Sequence, residues 1–286
     1  MNIFSDDLVD LHIHTQFSDG TDSLEELLDN LRKANIKIFA ITDHDTSEGA
    51  TKMKSLVPDD MIFISGCEFS SITPVRKLHL LGLNFDETTD EMKAIFKEGR
   101  EKRVDKFQRR INFVREKHGI EFSEDTLNRL LSIKSVGKPH IADEIVKIGL
   151  ATDRSDAIKR FITGCKLNSD RIDAEKIIPA VHKSGGLAIW AHPLGGENER
   201  HLTEEEFLQQ LEYLIEIGLD GFECWYSRYN EEEVNMLLKN AYKYNMLVSG
   251  GSDYHGKGKN ISLGELNNFD RKVHASNLTV LKSIIN

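Results

Sequence analysis

Cysteine is scarce in this chain: three residues, Cys67, Cys165 and Cys224, lie far apart and form no CxxC pair. That excludes a disulfide framework and a cysteine-built zinc module, and it favours a reducing compartment. Proline is rarer than average, at five residues, and the 20 glycines follow no repeat, so collagen-like and low-complexity chains are excluded. No apolar run approaches the roughly 20 residues needed to cross a bilayer. The opening MNIFSDDLVD lacks the basic and apolar regions of a signal peptide. Basic residues are outnumbered, 37 Lys and Arg against 47 Asp and Glu, for a net charge of −10. A broad nucleic-acid footprint and stable duplex DNA binding are therefore not expected. What remains, at 39% hydrophobic and 29% charged, is a soluble, cytoplasmic globular protein. Its 286 residues suit one large domain with a modest insertion. Oligomeric state leaves no trace in the sequence.

The first third alternates short apolar runs with helical patterns. Residues 8–14 read as a strand, 23–35 as a helix with Ser23 and Glu26 at capping-box spacing, and 36–42 as a strand covered on both faces. Residues 61–65 and 78–85 read as further strands. This rhythm predicts a parallel sheet with crossover helices. It breaks after Thr88, where helical patterns run on without a strand, and it resumes near residue 174. The expectation is a distorted, seven-stranded (β/α) barrel over 1–98 and 167–286, interrupted by an all-helical insertion over 99–166.

Polar side chains able to bind metal recur at the trailing ends of the strands. His12 and His14 point to one side of the first strand, because side chains alternate with period two. Asp19 follows in the next loop, His44 ends the second strand, Glu68 the third, and His79 lies in the fourth. His192 and the pair Asp253 and His255 complete the series. In a parallel barrel these ends converge on one mouth. Nine imidazole and carboxylate donors exceed what one tetrahedral ion takes; they suit two or three ions, with Zn, Mn and Fe all compatible. Each element alone has a plainer reading. Asp45 and Thr46, for instance, are good caps for a helix over 48–56. Cys67 and Cys224 read as small core residues, and His118, His182, His201 and His274 lie outside the pattern.

In order, D-L-H-I-H-T, S-D-G, I-T-D-H-D, G-C-E, H-L-L-G, A-H-P and G-S-D-Y-H resemble the PHP (polymerase and histidinol phosphatase) metal-dependent phosphoesterases. The resemblance runs along the whole barrel. It implies three divalent ions, Mn2+, Fe2+ or Zn2+: the first on His12, His14, Glu68 and Asp253, the second on Glu68, His79 and His192, the third on Asp19, His44 and His255. The helical interruption resembles the subgroup similar to nucleoside 3′,5′-bisphosphate phosphatases and to exonucleases on short 5′-phosphorylated oligonucleotides. The amidohydrolases share the HxH strand but leave Asp19, His44 and His255 without a role.

The implied reaction is hydrolysis of a nucleotide phosphate ester by a metal-bridging hydroxide, with Glu68, Asp253 and His255 as catalytic residues. Asp253 would orient the nucleophile and accept its proton; a metal-bound water and His255 are both candidates for protonating the leaving group. Lys138, His140 and Arg228 are the candidate contacts to a small phosphorylated substrate. Lys138 stands where the subgroup usually has Arg, and Lys lacks the bidentate fork. The stretch 164–168, often Lys- and Pro-rich in the subgroup, also departs. Between Lys97 and Lys117 nine cations face four acids, which fits either a solvated helix or a lid that draws phosphate to the mouth. Trp225 and Tyr226 could stack a base or pack the rim. Two other readings stay open: the same chemistry on a sugar phosphate, histidinol phosphate or cyclic phosphate diester, and a non-catalytic PHP scaffold.

Overall fold

The computed structural model describes residues 6–167, 171–196 and 200–285. β1 (Leu8–Asp10), α1 (Leu24–Lys33) and β2 (Ile36–Ile41) form the first strand–helix–strand unit. The capping box forms as expected. Glu26 N–H donates to Ser23 Oγ at 3.2 Å, and Ser23 N–H donates to the Glu26 carboxylate at 2.8 Å. Leu24, Leu27, Leu28 and Leu31 then bury one face of α1. α2 (Glu48–Met53) leads to β3 (Ile62–Ile72), and β1, β2 and β3 pair in parallel.

The parallel expectation fails at the next strand. β4 (Lys77–Leu83) runs antiparallel to β3, with Ser70 opposite His79. The reason is length: only residues 73–76 separate the two strands, and a parallel crossover needs a dozen or more. Thr73 closes this hairpin by accepting the amide hydrogens of Val75 and Arg76 at 3.2 and 3.1 Å.

Helices follow: α3 (Asp90–His118), α4 (Glu124–Ser132), α5 (Lys138–Lys147) and α6 (Arg154–Ala157), the last running into a π-turn over Ile158–Ile162. The helical interval therefore opens at Asp90, earlier than residue 99. α3 is one 29-residue helix, about 43 Å long at 1.5 Å per residue. Its two ends serve different interiors. Met92 and Ile95 join the core around the sheet, whereas Phe107 and Val114 join a separate cluster with Leu130, Ile141 and Ile145. Residue 168, the end of the departing stretch, lies outside the described residues.

The chain returns through β5 (Ile172–Asp173), α7 (Ala174–Lys183), β6 (Leu187–Trp190), α8 (Glu204–Glu216), β7 (Gly221–Tyr226), α9 (Glu231–Lys243), β8 (Leu247–Gly251) and α10 (Val280–Ile284). Among the described residues the sheet has eight strands, in the order β1-β2-β3-β4-β6-β7-β8, with β5 beside β3. β4 pairs antiparallel with β6 as well, and the remaining pairs are parallel. Leu11 N–H donates to the Gly250 carbonyl at 3.2 Å, bringing the segment after β1 alongside β8. Among the described residues no helix is long and apolar enough to cross a membrane.

Candidate metal centre

His12 and His14 lie on the extension of β1, held on both sides. Ile13 N–H donates to Thr42 Oγ1 at 3.1 Å, and Asp253 N–H donates to the His12 carbonyl at 2.9 Å. The packing leaves no room for a side chain at residue 251. A Cβ on Gly251 would come within 2.2 Å of the His12 Cβ, so glycine is needed for β8 to approach. His192 (φ 31°) and Asp253 (φ 61°) both hold left-handed backbone. Such positions cost about 1–3 kcal/mol each and cluster at functional sites.

All nine residues singled out in the sequence meet in one place, with Glu68 at the hub. Its Oε2 lies 3.4 Å from His12 Nε2, 3.1 Å from His14 Nε2 and 3.0 Å from His44 Nδ1. Its Oε1 lies 3.0 Å from both His79 Nδ1 and His192 Nε2. Asp253 Oδ1 sits 3.6, 3.4 and 3.4 Å from nitrogens of His12, His14 and His255. Asp19 faces His14, His44 and His255 at 3.7, 3.8 and 3.2 Å.

The donors form three groups, each with ligand atoms within 4.8 Å of one another: His14, Asp19, His44 and His255; His12, His14 and Asp253; and His44, Glu68 and His79. His192 Nε2 adjoins the last group, 3.3 Å from His79 Nδ1. Membership differs slightly from the expected partition, since His14 and His44 each belong to two groups.

The donor set fits divalent cations on its own chemistry. Asp19 Oδ1 and His44 Nδ1 are buried and make no hydrogen bond, although each lies at ion-pair distance from a neighbour. A buried polar atom left so calls for an explanation, and a bound ion is one that suits a carboxylate oxygen and an imidazole nitrogen facing the same cage. Burial raises the Glu68, Asp19 and Asp253 carboxyls, but the surrounding cations outweigh it and hold all three well below their ordinary range. Burial lowers His12 and His14, yet the carboxylates outweigh it in turn. His12 is driven well above its usual value, by Glu223 first among them, and His14 rises to about 9. His79, by contrast, is pushed down to about 3, by burial first, so the donors are a mixture of ionised carboxylates, neutral imidazole and imidazoles stabilised in the charged form.

Several supporting groups escaped the sequence reading. Glu223, in the middle of β7, accepts from His12 Nδ1 at 3.0 Å and from the His192 N–H at 2.6 Å. This turns the His12 Nε2 lone pair toward the cage. Asp43 fixes the loop after His14 by accepting from Thr15 Oγ1 and Ser18 Oγ, both at 2.6 Å. Asp253 Oδ2 accepts from Lys259 Nζ at 2.7 Å and from the Tyr226 hydroxyl at 3.0 Å. Glu223 showed only as a carboxylate inside a strand-like run, without a sign of its partner, and Asp43 only as a neighbour of His44; Lys259 had no signal beyond its nearness to Asp253.

Other expectations change. Asp45 does not cap α2. It is buried, accepts from Ser70 N–H at 2.7 Å, and pairs with Arg103 Nε at 2.6 Å. Trp225 and Tyr226 are 2% and 0% exposed, so neither can stack a base at the mouth; they pack the rim. The cations of α3 are largely engaged. Arg103 turns inward, Arg100 donates to the carbonyls of Leu131, Ile133 and Lys134, and Arg109 pairs with Asp105 at i,i+4 spacing. Cys67 and Cys224 are buried.

His140 stands near the cage. It lies in the first turn of α5, its ring accepts Gly137 N–H at 3.0 Å, and burial lowers its pKa against the influence of Asp19 and a backbone contact at Ser18. Lys138 is exposed two residues earlier in the same turn, and Arg228 is half-buried in the loop after β7. Arg154 ties this helical face to the ligands: its fork holds Asp143 at 2.8 Å twice, and Nη1 donates to the Asp19 carbonyl at 3.2 Å.

Comparison with known proteins agrees with this geometry. The chain is 30% identical over 256 residues to the 5′-3′ exoribonuclease of Haemophilus influenzae, covering 86% of this chain and 89% of that one. It is 27% identical to the phosphoribosyl 1,2-cyclic phosphate 1,2-diphosphodiesterase of Eggerthella lenta, covering 87% and 94%. Identity is 25% to the 3′,5′-nucleoside bisphosphate phosphatase of Chromobacterium violaceum, covering 88% of each. The solved structure of a predicted metal-dependent phosphoesterase from Bifidobacterium adolescentis superimposes with a TM-score of 0.82 at 28% identity, over 97% of this chain and 96% of that one. The PHP domain family matches residues 10–279, nearly the full length, and the chain belongs to that family.

Proposed function

We propose that this chain is a metal-dependent phosphoesterase acting on nucleotide phosphate esters, a nucleoside 3′,5′-bisphosphate or a short 5′-phosphorylated oligonucleotide. The observation that carries the reading is the single buried cage of nine donors with Glu68 at its centre. His12, His14, Asp19, His44, Glu68, His79, His192, Asp253 and His255 would hold three divalent ions, Mn2+, Fe2+ or Zn2+. When bound, such ions lower the pKa of water and neutralise charge on a phosphoryl group.

The chain's own residues supply the rest. Lys259 and Tyr226 fix one oxygen of Asp253, so the other is presented to the cage, where it can orient the nucleophile. His255 Nδ1 donates to the Asp253 carbonyl at 2.8 Å, which leaves its Nε2 lone pair facing Asp19 and the cage. Burial, with Lys259, pushes its pKa down to about 4. Both features favour a ligand over a proton donor to the leaving group. Lys138, His140 and Arg228 are the proposed substrate contacts, and the helical unit over 99–166 is the proposed lid on a barrel of 1–98 and 167–286. The cytoplasm is the proposed compartment, in keeping with three free cysteines.

The relatives' printed activities span RNA, nucleoside bisphosphate and cyclic phosphate diester, which supports phosphoester hydrolysis as the shared chemistry. The test joins metal quantification to phosphate release across nucleotide, oligonucleotide, cyclic diester and sugar phosphate panels. Glu68→Ala and Asp253→Ala should lose bound metal and turnover together. Wild-type turnover in either variant without metal would refute the mechanism. A wild type that binds no metal and releases no phosphate would leave a scaffold.

A further inference from the structure

Asp19 is the least secured carboxylate of the cage. Lys259 and Tyr226 hold Asp253, and imidazoles crowd both oxygens of Glu68, whereas Asp19 Oδ1 accepts no hydrogen bond. Asp19 is also the most exposed of the three, at 16% against 1% for Glu68 and 6% for Asp253. Its aim therefore depends on its backbone. Part of that backbone is set locally, where the Ser18 and Gly20 N–H groups donate to the Thr15 carbonyl at 3.0 and 3.1 Å. The Asp19 carbonyl itself is gripped from outside the turn, by Arg154 Nη1 at 3.2 Å.

The grip comes from the helical unit. α5 and α6 share the second hydrophobic interior, through Ile141, Ile145 and Ala157, and Asp143 of α5 meets Arg154 at the start of α6. The two Asp143 oxygens accept from Arg154 Nε and Nη2, each at 2.8 Å, and Nη1 is left for the Asp19 carbonyl. A two-pronged bond of this kind fixes the plane of the guanidinium as well as its distance. Nη1 also abuts the turn after His255, since a Cβ on Gly258 would meet it at 2.7 Å. The two loops are joined to each other: Thr21 N–H donates to the His255 carbonyl at 3.2 Å. Asp19 and His255 belong to one donor group, with His14 and His44. Arg154 thus stands where the helical unit meets the loops of two of that group's donors.

We infer that Arg154 is a positioning residue for Asp19, and that it couples the docking of α5 and α6 to the filling of the group His14, Asp19, His44 and His255. The inference rests on the metal-binding part of the proposed function and assigns one ion of the cage a second role. Coupling between two sites is reciprocal. If docked helices improve the aim of Asp19, an ion in that group must in turn hold the helices down. Asp143 belongs to the device because it fixes the guanidinium that does the holding.

The experiment uses the full-length protein with Arg154→Met, Arg154→Lys and Asp143→Asn. Equilibrium dialysis against Mn2+ reads each ion's affinity without turnover. One ion should bind about 10- to 100-fold more weakly in Arg154→Met, as for other groups that orient ligands, while the rest stay within about twofold. Arg154→Lys, which keeps the charge but not the fork, should lie between. Asp143→Asn keeps the volume and should weaken the same ion, so the test survives if Arg154→Met folds poorly. Asp19→Ala identifies that ion, and Arg154→Met added to it should cost nothing further. Hydrogen exchange gives the reciprocal readout: Mn2+ should slow exchange in α5 about tenfold or more in wild type, and much less in Arg154→Met. Equal weakening of every ion, or of none, overturns the coupling. A wild type that binds no ion sinks the metal reading and the coupling together. If wild type binds ions and releases phosphate but Arg154→Met binds them identically, only the coupling fails. If Arg154→Met loses one ion and the loaded wild type releases no phosphate, the phosphoesterase reading fails and the coupling stands.

Discussion

Glu223 Oε1 lies 3.0 Å from His12 Nδ1, and the other oxygen of the same carboxylate accepts the His192 backbone N–H at 2.6 Å. One fully buried side chain thus orients two ligands that are distant in sequence but neighbours in the cage. Removing its charge while keeping its shape should loosen both. Glu223→Gln is expected to weaken metal affinity about 10- to 100-fold while the chain still folds. Competition against a coloured chelator measures this, and an unchanged affinity would mean that His12 is oriented by packing alone.

Arg103 and Asp45 form the main ionic tie between α3 and the segment after His44, with both side chains buried. Arg103→Met would leave the carboxylate in place without its partner. Breaking a buried pair in this way costs about 3–5 kcal/mol, readable as a shift in the urea midpoint. A change below about 1 kcal/mol would show that water or Lys106 takes over, which is the surface-pair regime.

The same pair sets a pH dependence. Burial raises the Asp45 carboxyl, but Arg103, Lys106 and His44 outweigh it and hold the pKa down to about 2, against 3.8 for the free group. A depressed acid stabilises the fold fully above its unfolded pKa and loses that contribution as pH falls through its folded one. The stability gap between wild type and Arg103→Met should therefore be full above pH 4 and shrink between pH 4 and 2. Urea titrations at stepped pH check the sign; a gap that widens on acidification would reverse the assignment.

Metal should stabilise the chain by mass action, because a folded cage binds ions that an unfolded one does not. At a free concentration of one hundred times Kd, each ion adds about 2.7 kcal/mol. Chelation should lower the melting temperature, and restoring Mn2+ or Zn2+ should recover it. An identical melt with and without metal would leave the cage without a resident ion.

Charge reversal at Lys138 tests the other face of the mouth. Lys138→Glu places an anion at the start of α5, in the same turn as His140. KM for bisphosphorylated substrates should rise about tenfold, or about 1.4 kcal/mol, with little change in kcat. A constant KM would remove Lys138 from the substrate path.

The cage was legible in the sequence because strand geometry is simple. HxH places two imidazoles on one face, and the ends of successive strands gather at one edge of a sheet. Glu223 stayed hidden because Gly221–Tyr226 reads as an apolar strand, and periodicity says nothing about which neighbour a buried carboxylate will meet. The antiparallel β4 was missed because the pattern of a buried strand carries no direction. Only the short spacing from Ile72 to Lys77 encodes the reversal. Asp45 looked like a helix cap because its partner, Arg103, is local only in space.

The two hydrophobic interiors joined by α3 have an evolutionary consequence. Because the helices beyond Phe107 pack largely on one another, they can be lengthened, trimmed or reshaped without repacking the strands that carry the ligands. If that unit is the lid proposed above, a lineage can remodel what it admits while leaving the ligand-bearing strands intact.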